Sequence, residues 1–138
     1  MSSKYLNQNV PQKNIDIRCN DLICDGEIIE YNPISSVTQS GTISTPVTLN
    51  AYVGKVTTVS TTLAANSKNL STTVNNNVVG PDDMILLSFI YNGTDGNPHI
   101  NIKNINNGNF NFSLYNSSST EALNGSLDIF FKVIKKSL

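Results

Sequence analysis

From Val47 to Ile134 the chain reads as seven or eight short runs of alternating apolar and polar residues, each cut off by Gly, Pro or Asn. Strand signals recurring at roughly 8–12-residue spacing mark an all-β sandwich or barrel. The cleanest alternation is Phe110, Phe112 and Leu114 against Asn111 and Ser113, which predicts a half-buried strand. The last run, Ser126–Ile134, places Leu127, Ile129, Phe131 and Val133 on one face and Asp128, Phe130, Lys132 and Ile134 on the other. Weaker strands are expected at Ile34–Ser40 and Pro46–Asn50, on either side of Gly41. Lys55–Leu63 is rich in β-branched residues, which suit a pleated surface. Ala64–Ser67 predicts a turn in which Asn66 takes the left-handed conformation. Lys68–Val74 follows, with Leu70, Thr72 and Val74 on one face, and Asn75–Asp83 reads as a longer connection.

Met84–Tyr91 differs from the other runs because both of its faces are apolar, broken only by Ser88. Such a strand is expected to be covered on both sides. Asn92–Pro98 is dense in turn formers and predicts a hairpin-type loop. In His99–Lys103, Ile100 and Ile102 share a face; Ile105 breaks that parity, so a bulge or strand end is expected near Lys103-Asn104. Asn106-Asn107-Gly108 predicts a tight turn, and Asn116–Gly125 a loop in which Ser118 and Glu121 form at most one capped turn.

The N-terminal part is organised differently. Residues 1–14 are polar and aperiodic and read as a flexible arm. Ile15, Ile17 and Cys19 alternate with Asp16 and Arg18, and Leu22–Tyr31 extends again after a turn at Asn20-Asp21. Two such strands do not make a domain alone; they require the main body or a neighbouring chain. With Pro33 as a boundary, the expected organisation is an arm (1–14), a short β segment (15–34) and a β-sandwich domain (35–138).

The apolar surplus bears on function. Phe130, Ile134 and the second face of Met84–Tyr91 exceed what one small sandwich requires. Burying each such side chain is worth about 1.5–3 kcal/mol. One resolution is a symmetric oligomer that covers them; the other is a central sheet position covered by a loop or by the N-terminal segment. On the first, the interface residues are Ile15, Ile17, Cys19 and Leu22 in the N-terminal segment and Ile85, Leu87, Phe89, Phe130 and Ile134 in the sandwich. Which apolar face forms the contact is open at this point.

Composition narrows the classes. The 138 residues suit one domain, and only 38% are hydrophobic and 14% charged. Asn, Ser and Thr fill the gap, which fits either a surface that packs against copies of itself, an extracellular module, or a coding bias that inflates Asn, Lys and Ile. A net charge of −1 gives no electrostatic footprint for nucleic acid, and no run is long and apolar enough for a membrane helix. Residues 1–14 hold no apolar stretch, so no secretory signal is expected. Cys19 and Cys24 have neither CxxC spacing nor a nearby His, and read as reduced thiols.

Catalytic patterns are lacking. His99 is the single imidazole, no GxSxG occurs, and Asp82-Asp83 after Gly80-Pro81 reads as a turn. Asn92, Thr94, Asp95 and Asn97 do not match calcium-loop spacing. Lys132, Lys135 and Lys136 read as a solvated basic end. Sequons begin at Asn69, Asn92, Asn111, Asn116 and Asn124, as expected by chance in such a composition. No enzyme activity, cofactor or metal is expected. The alternative to a structural role is a ligand-binding module for host glycans, with Tyr91, Asn92, Asp95 and Asn97 as the nearest candidates.

The order of turns and strands carries a resemblance. It runs from Val47-Thr-Leu-Asn through Gly54-Lys-Val-Thr-Thr, Leu63-Ala-Ala, Val74-Asn-Asn, Asp83-Met-Ile-Leu-Leu-Ser and Pro98-His-Ile-Asn-Ile. It ends in Gly108-Asn-Phe-Asn-Phe-Ser-Leu-Tyr-Asn and Ala122-Leu-Asn-Gly-Ser-Leu-Asp-Ile-Phe-Phe-Lys-Val-Ile. Over roughly residues 38–134 the chain resembles a β-sandwich module of virion-associated and fibre-like proteins of tailed phages and large DNA viruses. It is most similar to small trimeric proteins of the Marseilleviridae giant viruses, the group of Noumeavirus and Melbournevirus. Relatives often carry Gly in the turn where Asn66 stands here. Asn14-Ile-Asp-Ile-Arg-Cys-Asn-Asp-Leu is similar to the short β-repeats that precede fibre heads, where three chains wrap one axis. The resemblance implies a jelly-roll-like antiparallel β-sandwich and a homotrimer. It further implies a non-enzymatic structural role in the virion after synthesis in the host cytoplasm, with other virion proteins as further partners. It supplies no catalytic residues.

Overall fold

The computed structural model describes residues 34–68 and 71–136. The expected arm and N-terminal β segment, with Ile15, Ile17, Cys19 and Leu22, lie outside the described residues, as does Leu70. The described chain forms nine strands and no helix. They are β1 (Ser35–Thr38), β2 (Val47–Thr48), β3 (Val53–Thr57), β4 (Ser67–Lys68), β5 (Thr72–Asn75), β6 (Met84–Tyr91), β7 (Pro98–Asn106), β8 (Asn109–Asn116) and β9 (Leu127–Ile134).

Two sheets enclose one core. Sheet A has the order β1-β3-β9-β6. In sheet B, β7 pairs along one side of β8, while β5 and β4 share its other side end to end and β2 lies outside β5. The pattern of β8 and β9 sets the core. Phe110, Phe112 and Leu114 of β8 meet Leu127, Ile129, Phe131 and Val133 of β9, all buried. Phe110 and Phe131 pack edge-on, their ring centroids 5.2 Å apart at 65°, a favoured aromatic geometry. Val56, Val74 and Ile85 add the inner positions of β3, β5 and β6. Gly54 is required where β3 crosses this cluster: a Cβ there would sit 2.5 Å from the Phe131 ring.

Several local expectations hold. Asn66 has φ 51° and Gly108, in the β7–β8 turn, has φ 83°. A register shift falls between Ile102 and Asn104. Residues 117–124 carry no helix, and Ser118 Oγ accepts the Glu121 amide at 3.0 Å.

Other expectations need correction. The sheets are mixed rather than antiparallel: β1 runs parallel to β3, and β2 to β5. The chain visits sheet A, sheet B and sheet A again in its first three strands, so β3 returns beside β1 in the same direction. The strand expected over Lys55–Leu63 is displaced toward the N-terminus and ends at Thr57. There the buried Thr58 hydroxyl takes over as acceptor for the Leu127 amide at 2.9 Å, and the regular ladder stops. Finally, β6 is the edge of sheet A and is not covered on both faces among the described residues.

Candidate functional site: the outer face of sheet A

The pleat sends alternate residues to opposite faces, so burial fixes which row of β6 faces outward. Ile85 is buried, and Leu87, Phe89 and Tyr91 pack partly against the core. Met84, Leu86 and Ile90 are 57%, 50% and 56% exposed. The interface residues named from the sequence on this strand, Ile85, Leu87 and Phe89, therefore occupy the inner row. Composition could not separate the rows because both are apolar.

Register assembles the outward surface. Met84 lies opposite Ile134, Leu86 opposite Lys132, Ser88 opposite Phe130 and Ile90 opposite Asp128. On the far side of β9, Lys55 lies opposite Phe130 and Val53 opposite Lys132. Phe130 and Ile134 thus take the outward positions the alternation assigned them; Phe130 is half-buried and Ile134 is 39% exposed. Between these rows runs an apolar groove of about 230 Å³, floored by Phe130 and lined by Ile34, Val53 and Leu86, with Lys132 at its side. One corner is polar: Thr57 donates to Asp128 at 2.6 Å, and Lys55 lies 3.9 Å from the same carboxylate. The outer face of sheet B contrasts with this. It presents Asn101, Asn104, Asn106, Asn109 and Asn111, with His99 and Tyr115 at one end.

The other candidates resolve into structural parts. His99 meets Ser117 Oγ at 2.9 Å and the Tyr115 ring at 6.4 Å. Among the described residues, no three His, Cys, Asp or Glu side chains gather as a metal site. The Tyr91–Asn97 loop is tied to the Asn124 loop. Tyr91 Oη donates to Asp95 O at 2.7 Å and accepts the Asn124 amide at 2.8 Å. Asn124 Oδ1 accepts the amides of Thr94 and Asp95, and its Nδ2 donates to Asp95 Oδ2 at 2.7 Å. Asn97 Nδ2 donates to Ser117 Oγ, and Asn92 Nδ2 lies 3.4 Å from Ser126 Oγ. The polar atoms read as glycan ligands largely serve the loop itself.

Asp83 does form a turn with Gly80, accepting its amide at 2.7 Å, but it also closes a latch on the C-terminal end. Lys135 donates to Asp83 at 2.6 Å and to Val78 O at 2.8 Å, and Lys136 pairs with Asp82 at 3.1 Å. Both lysines stay substantially exposed while making these contacts. The hydrogen bond from Lys135, with the Gly80 and Lys136 amides, holds the Asp83 carboxyl below its ordinary range.

Composition alone did not reveal the roles of three buried amides. The two N–H groups of Asn116 Nδ2 are shared among the carbonyls of Leu63, Ala64 and Glu121, and its Oδ1 accepts the amides of Asn97 and Ser118. Asn76 donates to Ala51 O at 2.7 Å and accepts the Val78 amide. Gln39 donates to the carbonyls of Ile43 and Thr45. A primary amide both donates and accepts, which suits loop backbone with mixed unmet demands. The Asn116 sequon is accordingly buried and its nitrogen committed.

No protein-family model matches this chain, and no curated protein or solved structure matches it significantly.

Proposed function

We propose that this chain is a non-enzymatic structural protein that assembles with copies of itself through the outer face of sheet A. One observation carries the reading. Met84, Leu86, Ile90, Phe130 and Ile134 gather on the one sheet face that lacks the amides found on the other, with Ser88 and Lys132 set among them. Large exposed apolar patches mark interaction surfaces. Excluding water from each half-exposed side chain is worth about 1 kcal/mol at roughly 25 cal/mol per Å². A weakly charged surface adds little repulsion between copies.

The finer description follows the resemblance: a homotrimeric, virion-associated or fibre-head-like component, made in the host cytoplasm, with other virion proteins as further partners. The order β3-β9-β6 facing β5-β8-β7, with the chain crossing from β6 in one sheet to β7 in the other, supports a jelly-roll reading. The internally committed Tyr91–Asn97 loop places glycan binding second. Light scattering on the purified full chain tests the proposal. The expected mass is a multiple of three chains, and a clean species of 15.0 kDa overturns it.

A further inference from the structure

Among the described residues, five strands have an unpaired side at the margin of their sheet, and they are unequal. β1 has 4 residues, and β2 and β4 have 2 each. β7 has 9, but it opens with Pro98, carries Lys103 and is interrupted by the bulge after Ile102. Proline, lysine and bulges are the usual devices that keep an edge from pairing with another chain. β6 has 8 residues, MILLSFIY, with no Pro, Gly, charge or register shift, and among the described residues it pairs only with β9.

Hydrogen-bond parity shows what this edge offers. The Asn92 amide donates to Ser126 O, so the even-numbered residues of β6 direct their backbone groups toward β9. The far side of β9 agrees: Leu127 O accepts the Thr58 amide, and the Val133 amide donates to Tyr52 O. The N–H and C=O groups of Ile85, Leu87, Phe89 and Tyr91 therefore point along the sheet plane, away from β9.

We propose that β6 pairs antiparallel with β6 of a second copy, joining two A sheets into one. The occupant follows from the edges themselves. Of these five edges, only another β6 matches it in length without a break, and β7 carries three features that oppose pairing. Antiparallel self-pairing sets each strand against its own sequence, which places like charges close together where charges exist; β6 has none. One register keeps both faces continuous. Ser88 lies opposite Ser88 of the second copy at the twofold axis, Leu86 opposite Ile90, and Leu87 opposite Phe89. Inner row then meets inner row, and the outward apolar row continues across the junction. The contact is isologous, so it closes after two copies. It rests on the self-assembly reading but uses the backbone of the odd row, whereas the face contact uses side chains of the even row.

The test is Ser88→Cys in a full chain that also carries Cys19→Ser and Cys24→Ser, exposed to a mild oxidant. Side chains in a pair that exchanges no hydrogen bonds approach closely. Most of the Ser88→Cys chain is expected as a disulfide-linked pair on a non-reducing gel, while Asn101→Cys, exposed on sheet B, stays single. Ser88→Lys sets two ammonium groups against each other at the axis and is expected to halve the solution mass, with the circular dichroism unchanged. Absence of coupling in Ser88→Cys together with an unchanged mass in Ser88→Lys overturns edge pairing. If wild type is still multimeric in that result, the face-mediated assembly stands. A monomeric wild type removes both.

Discussion

Asn116 shows how much one side chain carries in this fold. It is fully buried and touches three carbonyls and two amides from three separate segments. Truncation to Ala leaves the Leu63 carbonyl with the Leu123 amide and the Ala64 carbonyl with the Ser67 hydroxyl, but takes the Asn116 partner from the Glu121 carbonyl and the Asn97 and Ser118 amides, and each buried group left unsatisfied costs about 1–3 kcal/mol. Asn116→Ala is therefore expected to destabilise the fold by at least about 3 kcal/mol in urea unfolding, while the exposed Asn101→Ala stays within about 0.5 kcal/mol. Asp83 provides a second test at this scale. Its folded-state carboxyl is held below the ordinary value of 3.8 by Lys135 and the Gly80 amide. A depressed carboxyl contributes stability that is present above its unfolded pKa and is lost as pH falls through the folded one. Thermal melts should therefore decline below about pH 4, and Asp83→Asn should flatten that acid limb while lowering stability at neutral pH. An acid limb identical to wild type would show that the latch contributes nothing. None of these amide and carboxylate partners was legible in the sequence. Composition reports how many amides there are, but a hydrogen bond between Asn116 and Leu63 depends on a fold that brings distant loops together.

At the scale of the strand, legibility followed polarity contrast. β8 and β9 were readable because a buried row of Phe, Leu, Ile and Val alternates with a row that includes Asn, Ser, Asp or Lys. The bulge after Ile102 was readable because Ile105 breaks parity. β6 was readable as a strand but not in its facing, since Ile85 and Leu86 have equal claim to the core. The end of β3 was hidden because Thr58 has the same β propensity as Thr57, yet its hydroxyl, not its carbonyl, accepts the Leu127 amide. The parallel pairs β1–β3 and β2–β5 arise from non-local returns of the chain, for which local pattern holds no signal. The resolved facing of β6 gives a sharp comparison. Ile85→Ala opens a cavity in the core and is expected to cost about 2–4 kcal/mol, whereas Leu86→Ala at the neighbouring position costs well under about 1 kcal/mol in the isolated subunit. Urea unfolding at low protein concentration separates the two; equal losses would mean the rows are assigned wrongly.

On the scale of the whole molecule, the sandwich has two unlike outer surfaces. Sheet B turns a field of asparagines outward, while sheet A turns out Met84, Leu86, Ile90, Phe130 and Ile134. Folding of the single chain does not need that asymmetry, because the core between the sheets is closed by the inner rows alone. Leu86 and Ile90 flank Ser88 on the exposed row, so replacing both with Gln changes the outer surface and leaves the core untouched. Leu86→Gln with Ile90→Gln is therefore expected to fold with an unchanged dichroism spectrum and a stability within about 1 kcal/mol of wild type at high dilution. Association should weaken by about 1 kcal/mol per side chain at each contact, roughly fivefold each in the association constant. Sedimentation across a dilution series reads that shift directly. Unchanged association in the double variant, with the fold intact, would mean that copies of this chain meet elsewhere on their surface.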